Sequence, residues 1–295
     1  MLKCISGKTY CLTTPAATLG LCLIDEHNCL LIYSGEATFA QQVLAFLEER
    51  GLRIAAIINT HAHADHCGGN QLIAEATGAD IYASAAEKLF LENPWLIPYT
   101  LYSAHPPKPL TNRFIVPPLS PDVEVVPSEN GVIEGLNFQF VDLPGHSPGQ
   151  LGVLTPDRVL FAGDSLLSSQ AYETFPCPVV TNVESQLKTL DTLAESRYDY
   201  LCIAHGGVVD NPTGVIEQNR AWLLGLIDEV LAAVRGQDMS REQLVNLVIG
   251  QRQLTVNTVQ YYLAWSSVSA VISYLLDTRR IKTNFHPAGI TYTAR

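Results

Sequence analysis

Thr60-His61-Ala62-His63-Ala64-Asp65-His66 follows the apolar run Ile54-Ala55-Ala56-Ile57-Ile58 and precedes Cys67-Gly68-Gly69. A short continuous apolar run predicts a buried strand, and the periodic segment from Asn70 to Thr77 predicts a helix. Four metal-ligating side chains within six residues therefore sit on one strand-to-helix turn. His61 and His63 are two apart, so extended backbone sends both imidazoles to the same side. Asp65 and His66 fall where the chain turns into the helix and point elsewhere, which suits a second cation a few ångströms away. Neutral imidazole and carboxylate are ligands for zinc and related divalent ions. A lone His beside a strand is ordinarily a surface or core residue. Three of them with an Asp, next to a Gly-Gly pair that permits close backbone approach, point instead to metal binding. Cys67 touches the motif in sequence and either lines the site or fills the core; filler is the expected role.

Working outward, residues 18–24 and 29–33 predict a hairpin of two buried strands turning at Asp25-Glu26-His27-Asn28. A helix is expected over about 37–50, with Phe39, Val43, Leu44 and Leu47 on one face and Gly51 as its stop. Beyond the motif come a short strand, Asp80 to Ala83, and a helix from about Ala85 to Leu91. Residues 93–121 change character: Pro94, Pro98, Pro106, Pro107, Pro109, Pro117, Pro118 and Pro121 are expected to prevent regular structure. Trp95, Tyr99, Tyr102 and Phe114 add aromatic surface there, so the segment reads either as a flap beside an active site or as surface packing. His105 has no partner at ligand spacing.

Three further strands end in ligand-type residues. Phe138 to Val141 leads into Pro144-Gly145-His146-Ser147-Pro148-Gly149, where Pro and Gly hold His146 on a rigid loop. Val159-Leu160-Phe161 leads to Gly163-Asp164, and Tyr200 to Ile203 leads to His205-Gly206. Between the last two, a helix is expected over Val183 to Ser196, opened by a Thr181–Glu184 capping box and buried along Val183, Leu187, Leu190 and Leu193. Five of the chain's eight His fall at these strand ends, a concentration chance does not produce.

With 295 residues and 47% hydrophobic content, the chain can bury one large domain plus an appendage, or two domains. The expected division is a catalytic unit over residues 1–212 and a second unit over 213–295. A formal charge of −11 argues against a general nucleic-acid or anionic-membrane binder. The charge is uneven, for residues 213–295 carry eight Lys/Arg against six Asp/Glu. Seven Cys with no Cys-x-x-Cys pair read as reduced intracellular thiols. The N-terminus shows neither a signal peptide nor a membrane span, so a soluble, cytoplasmic protein is expected.

From about Thr213 the chain turns helical. Helices are expected over roughly 215–234, stopping at Gly236, then after Ser240 with Gln243 completing a capping box, then over about 256–278. Residues 281–284 and 289–293 are expected to pair around His286-Pro287-Ala288. Arg279, Arg280 and Lys282 form the one compact basic cluster of this tail. They read either as recognition of an anionic substrate or as solvated charge at a helix C-terminus, where cations are favoured anyway.

The ordered set His-x-His-x-Asp-His, Pro-Gly-His-Ser-Pro-Gly, Gly-Asp and strand-terminal His-Gly resembles the metallo-β-lactamase superfamily over about residues 15–210. The resemblance implies an α/β (α+β) protein, a four-layer αββα sandwich with metals at the sheet ends. His61, His63 and His146 would hold one ion, Asp65, His66 and His205 a second, and Asp164 would bridge them. Two divalent ions are implied, Zn²⁺ first, with Fe or Mn as alternatives, sharing a water whose lowered pKa makes a hydroxide nucleophile. Asp65 would orient that nucleophile or pass its proton on. With a hydroxide supplied in this way, no separate Ser or Cys nucleophile is called for. The diiron oxidoreductase branch, with His-x-Glu in the first motif, is disfavoured by His63. One departure is Tyr33 in Tyr33-Ser34-Gly35, where family members often carry Asp.

The tail resembles a winged-helix module, and hydrolases of the β-lactamase-like type 2 kind carry a comparable one. The leading expectation is a binuclear hydrolase of a small ester or thioester, similar to hydroxyacylglutathione hydrolase. The alternatives are a metal-dependent ribonuclease or other phosphodiesterase and a mono-iron persulfide dioxygenase. A small-molecule substrate is the expected partner; nucleic acid is not favoured, no membrane is expected, and a homo-oligomer stays open.

Overall fold

Seven strands pair in chain order into the first sheet: β1 (Leu2–Ser6), β2 (Thr9–Thr13), β3 (Thr18–Leu23), β4 (Asn28–Ile32), β5 (Arg53–Ile58), β6 (Asp80–Ala83) and β7 (Val123–Val125). They belong to a computed structural model, which describes residues 2–127, 129–287 and 289–295. β1 to β4 run antiparallel and β4 to β7 parallel. Parallel neighbours need crossovers. These are α1 (Ala40–Glu48), then α2 (Ala64–Cys67) with α3 (Asn70–Thr77), then α4 (Ala85–Glu92) with α5 (Leu96–Tyr102). The expected β3–β4 hairpin and the buried α1 face of Val43, Leu44 and Leu47 are present. The β1–β2 hairpin was not anticipated, because its polar and charged residues hide the alternation.

The second sheet has the order β13-β12-β11-β10-β9-β8. Its strands are β8 (Asn130–Ile133), β9 (Leu136–Asp142), β10 (Leu151–Leu154), β11 (Val159–Phe161), β12 (Tyr200–Ile203) and β13 (Gly207–Val208). Alternation sets the layers. Val159 and Phe161 of β11 join the core between the two sheets, with Leu19, Ile57 and Phe138. Leu160 faces the other way, onto Leu190 and Leu193 of α7 (Val183–Glu195). The sheets approach so closely that a Cβ on Gly20 would lie 2.7 Å from the Phe161 ring. Helices thus flank two stacked sheets, the expected αββα order. A further helix, α6 (Ser169–Thr174), follows Asp164.

The tail comprises α8 (Pro212–Ala233), α9 (Arg241–Gln251), α10 (Thr258–Asp277) and a hairpin of β14 (Ile281–His286) with β15 (Gly289–Ala294). The Ser240–Gln243 capping box is formed in both directions, at 3.3 and 2.8 Å. A third core joins these elements, but Cys177, Val180 and Val183 also enter it. In turn Ile216 of α8 packs beneath the second sheet. The turn expected at His286-Pro287-Ala288 includes Ala288, which lies outside the described residues. No helix among the described residues is long and apolar enough to cross a membrane.

Two local expectations fail. Residues 93–121 are not free of regular structure: α5 runs through Pro98. Pro98 stands third in that helix, within the first turn, where the missing N–H has no intrahelical acceptor to lose. The α7 cap is Asn182, whose side chain accepts from Ser185 N, rather than Thr181. The Thr181 hydroxyl is committed elsewhere, donating to Gly145 O at 3.0 Å.

Candidate metal centre

The loop after β5 turns straight into α2, and the Gly pair behind it lets the turn sit tight against the strand end. A Cβ on Gly69 would stand 2.6 Å from Ser34 O. The backbone O of His66 accepts from Ser34 N and Gly35 N at 2.8 and 3.1 Å, and from the Ser34 hydroxyl at 3.2 Å.

The loops after β5, β9, β11 and β12 converge. His63 Nδ1 lies 2.8 Å from His146 Nε2. Asp164 Oδ2 lies 4.0 Å from His61 Nε2, 3.7 Å from His146 Nε2 and 3.5 Å from His205 Nε2. Its other oxygen, Oδ1, lies 3.3 Å from His66 Nε2. Asp65 Oδ2 faces His205 Nε2 at 3.2 Å and His66 Nε2 at 3.6 Å. Two groups result, His61-His63-His146-Asp164 and Asp65-His66-Asp164-His205, each with ligand atoms within 4.8 Å of one another. All seven residues named from the sequence are brought together.

Burial sets the charge state of the first group. It holds the imidazoles of His61 and His63 below their ordinary pKa and takes His146 down to about 4, leaving ligand-ready lone pairs. In the second group burial is outweighed by the carboxylates. Burial would lower His205, but Asp164 and Asp65 lift it to about 11. Burial would raise Asp65, yet His66 and His205 bring it to about 2. Asp164 is driven well below the usual range by the same two imidazoles.

These residues fit a cation. His61 Nε2, both ring nitrogens of His66 and Asp164 Oδ1 are buried without a hydrogen-bond partner among the described residues. Such orphaned atoms are costly unless something else satisfies them. Imidazole with carboxylate is the donor set of zinc, iron or manganese.

The supporting residues orient the imidazoles. His146 Nδ1 donates to Val179 O at 2.9 Å, which turns the Nε2 lone pair toward the cluster. His61 Nδ1 meets the Thr60 hydroxyl at 3.1 Å. Tyr33 stands edge-on to the His66 ring with centroids 5.0 Å apart, and its hydroxyl accepts from Gly163 N. It therefore steadies the Asp164 loop by a hydrogen bond and His66 by packing. Glu87 escaped the sequence reading. Its buried carboxylate accepts from Ala62 N, the Ser147 hydroxyl and Gly149 N at 2.9, 2.8 and 2.8 Å, stitching the His61 loop to the His146 loop. Ser84-x-x-Glu87 has the capping-box spacing, and only its complete burial betrays the other role.

A cavity of about 390 Å³ opens over the cluster, lined by Ile97, Leu101, Phe114 and Ile115 of the Pro-rich segment and by Gln260 and Leu263 of α10. That segment therefore lies beside the site. Cys67 is buried and does not line the cavity, so it fills the core, and burial pushes its thiol up. His105 packs against Tyr99. Arg279, Arg280 and Lys282 are not brought to the site. They follow the far end of α10, about 24 Å along the helix from Leu263 at 1.5 Å per residue, and none lines the cavity. Arg280 instead faces Asp228 at 3.7 Å.

The sequence profile of the Metallo-beta-lactamase superfamily matches residues 23–205. The chain is 29% identical over 192 residues to a hydroxyacylglutathione hydrolase of Albidiferax ferrireducens, covering 63% of this chain and 61% of that protein. It spans roughly half to three-fifths of the length of this relative and of a second hydroxyacylglutathione hydrolase, from Methylobacillus flagellatus, which is 47% covered. Among solved structures, a beta-lactamase domain protein from Burkholderia ambifaria superposes with a TM-score of 0.78 at 18% identity, covering 100% of this chain and 93% of that one. A metallo-beta-lactamase family protein from Thermus thermophilus gives 0.77 at 19% identity, covering 98% and 99%. At such identities the likeness is one of fold.

Proposed function

The chain belongs to the metallo-beta-lactamase superfamily, and from that premise we propose that it is a binuclear metal-dependent hydrolase of a small ester or thioester. The observation that carries this reading is the Asp164 carboxylate, which presents one oxygen to His61, His146 and His205 and the other to His66. His61, His63 and His146 would hold one divalent ion and Asp65, His66 and His205 the other, with Asp164 shared; zinc is the first candidate. Two such ions supply a hydroxide at neutral pH and a Lewis acid for the substrate carbonyl. Asp65 would orient the attacking water and hand its proton on toward the leaving group. The new C–O bond forms as the C–S or C–O bond to the leaving group breaks. The proton passes to the departing thiolate or alkoxide, so one water is consumed and an acid and a thiol or alcohol leave. Glu87 and Val179 keep the His61 and His146 loops in register while this happens.

Residues 1–212 are proposed as the catalytic unit and 213–295 as a tail, winged-helix-like in its order of helices and hairpin, that completes the cavity through α10. The test is metal analysis of the purified protein together with a panel of ester, thioester, phosphodiester and RNA substrates. Two zinc-type ions per chain and ester or thioester turnover support the reading. One iron with oxygen consumption, or RNA cleavage without thioester cleavage, would replace it.

A further inference from the structure

Two recesses meet at the cluster, and their linings differ. The larger, of about 390 Å³, is walled by Phe90, Ile97, Leu101, Phe114, Leu167 and Leu263. The second, of about 380 Å³, shares Phe114 and Phe175 with the first and is edged by Glu36, Ser168, Gln170 and Thr174. Asp65, His205, Phe114 and Phe175 border both, so a substrate whose reacting carbon sits over the cluster sends one arm into each.

Neither recess is lined by a Lys or an Arg among the described residues. In the larger, the acid outside the cluster is Glu87, already occupied by three donors. Beside the second, the Arg113 guanidinium lies 4.0 Å from the Glu36 carboxylate but is largely exposed and does not line the recess, whereas Glu36 does. An anionic arm would meet Glu36 with no cation of its own, and buried or half-buried charge without a partner is penalised. An apolar arm, in contrast, gains from every methylene placed between α5 and α10.

We propose that the substrate is an uncharged thioester or ester with an apolar acyl chain of roughly four to eight carbons, a size suited to a pocket at the small end of the usual range. The acyl chain lies in the larger recess and a neutral polar leaving group in the second. This rests on the hydrolase reading for its chemistry, but ligand preference can be measured apart from turnover.

The experiment uses the full chain, metal-free and metal-loaded, with non-hydrolysable thioethers followed by calorimetry. S-hexyl-N-acetylcysteamine is compared with S-hexylglutathione, which carries the same alkyl arm on a leaving group bearing two carboxylates. The neutral ligand is expected to bind at least about tenfold tighter, with affinity rising about fourfold per methylene from ethyl to hexyl. Gln170→Arg and Thr174→Arg, at the edge of the second recess, are each expected to move the preference at least about tenfold toward the glutathione ligand, whereas Leu263→Arg, in the larger, is expected to weaken both hexyl ligands alike. Equal or tighter binding of S-hexylglutathione by the native chain overturns the proposal, as does affinity flat with chain length. If these preferences appear while no matched thioester is cleaved by metal-replete protein, the hydrolase reading fails and the ligand class stands.

Discussion

The hydroxyl of Tyr33 accepts a hydrogen bond of 2.8 Å from the backbone N–H of Gly163, the residue before Asp164. Tyr33 is fully buried, and burial pushes its hydroxyl pKa up, so it stays neutral at any working pH. Removing the hydroxyl leaves a buried N–H without an acceptor. Tyr33→Phe should therefore cost about 1–3 kcal/mol of stability and loosen the loop that carries Asp164. A urea titration with a parallel metal titration checks this; an unchanged midpoint and unchanged affinities would show that the bond has no such role.

Glu87 joins two loops through three donors, and an amide cannot replace it. In Glu87→Gln one oxygen acceptor remains, and the new NH₂ must face N–H or O–H donors. A loss of about 2–3 kcal/mol is expected for a charge-assisted network of this kind, with weaker retention of the first ion. Chemical denaturation at pH 7 reads the first effect and dialysis against a chelator the second.

Asp164 faces both groups, whereas His63 faces one. Asp164→Ala should lower metal content toward zero and abolish turnover. His63→Ala should lose the ion of the first group and leave partial occupancy of the second. Elemental analysis after gel filtration distinguishes them, and full metal content with full turnover in either variant would remove that residue from the site.

The two groups should load with different pH dependence. In the metal-free chain His61, His63 and His146 lie below their ordinary pKa and are neutral at pH 7. His205 is raised to about 11 by Asp164 and Asp65 and is protonated there; the same carboxylates also raise His66. An ion entering the second group must displace protons, and one entering the first need not. From pH 6 to 9 the affinity of the second ion should rise about tenfold per pH unit for each proton displaced, and that of the first should change little. Calorimetry in buffers of different ionisation enthalpy counts the protons released; identical release for both ions would contradict the assignment.

Ser267 of α10 accepts from Val180 N at 3.1 Å and donates to Pro178 O at 3.0 Å, clasping the segment whose Val179 O accepts from His146 Nδ1. Ser267→Ala should cost about 1–2 kcal/mol and should weaken the first ion more than the second. If both affinities and the melting temperature are unchanged, the clasp does not reach the cluster.

The seven clustered residues were legible in the sequence because each stands at the end of an apolar strand in a Gly- or Pro-marked loop, where local pattern and chemistry coincide. Glu87 and Ser267 were not, because their partners lie far along the chain and only folding brings them together; Tyr33 stood out as a departure from the family, but its bond to Gly163 N did not. Thr181 and Asn182 are adjacent capping residues, and the Gly145 carbonyl that takes up Thr181 is invisible from the helix alone. Eight prolines concealed α5, since a proline in the first turn of a helix looks in sequence like one that breaks it. Composition left Arg279, Arg280 and Lys282 open between a binding patch and solvated charge at a helix end, and the length of α10 carries them away from the cavity.

Leu263 and Ser267 come after every proposed ligand in the chain, yet they wall the cavity and brace His146. A ribosome makes the protein in that order, and domains tend to fold as they emerge. The nascent chain thus carries all seven clustered His and Asp residues before α10 is available to wall the cavity or to clasp the segment beside His146.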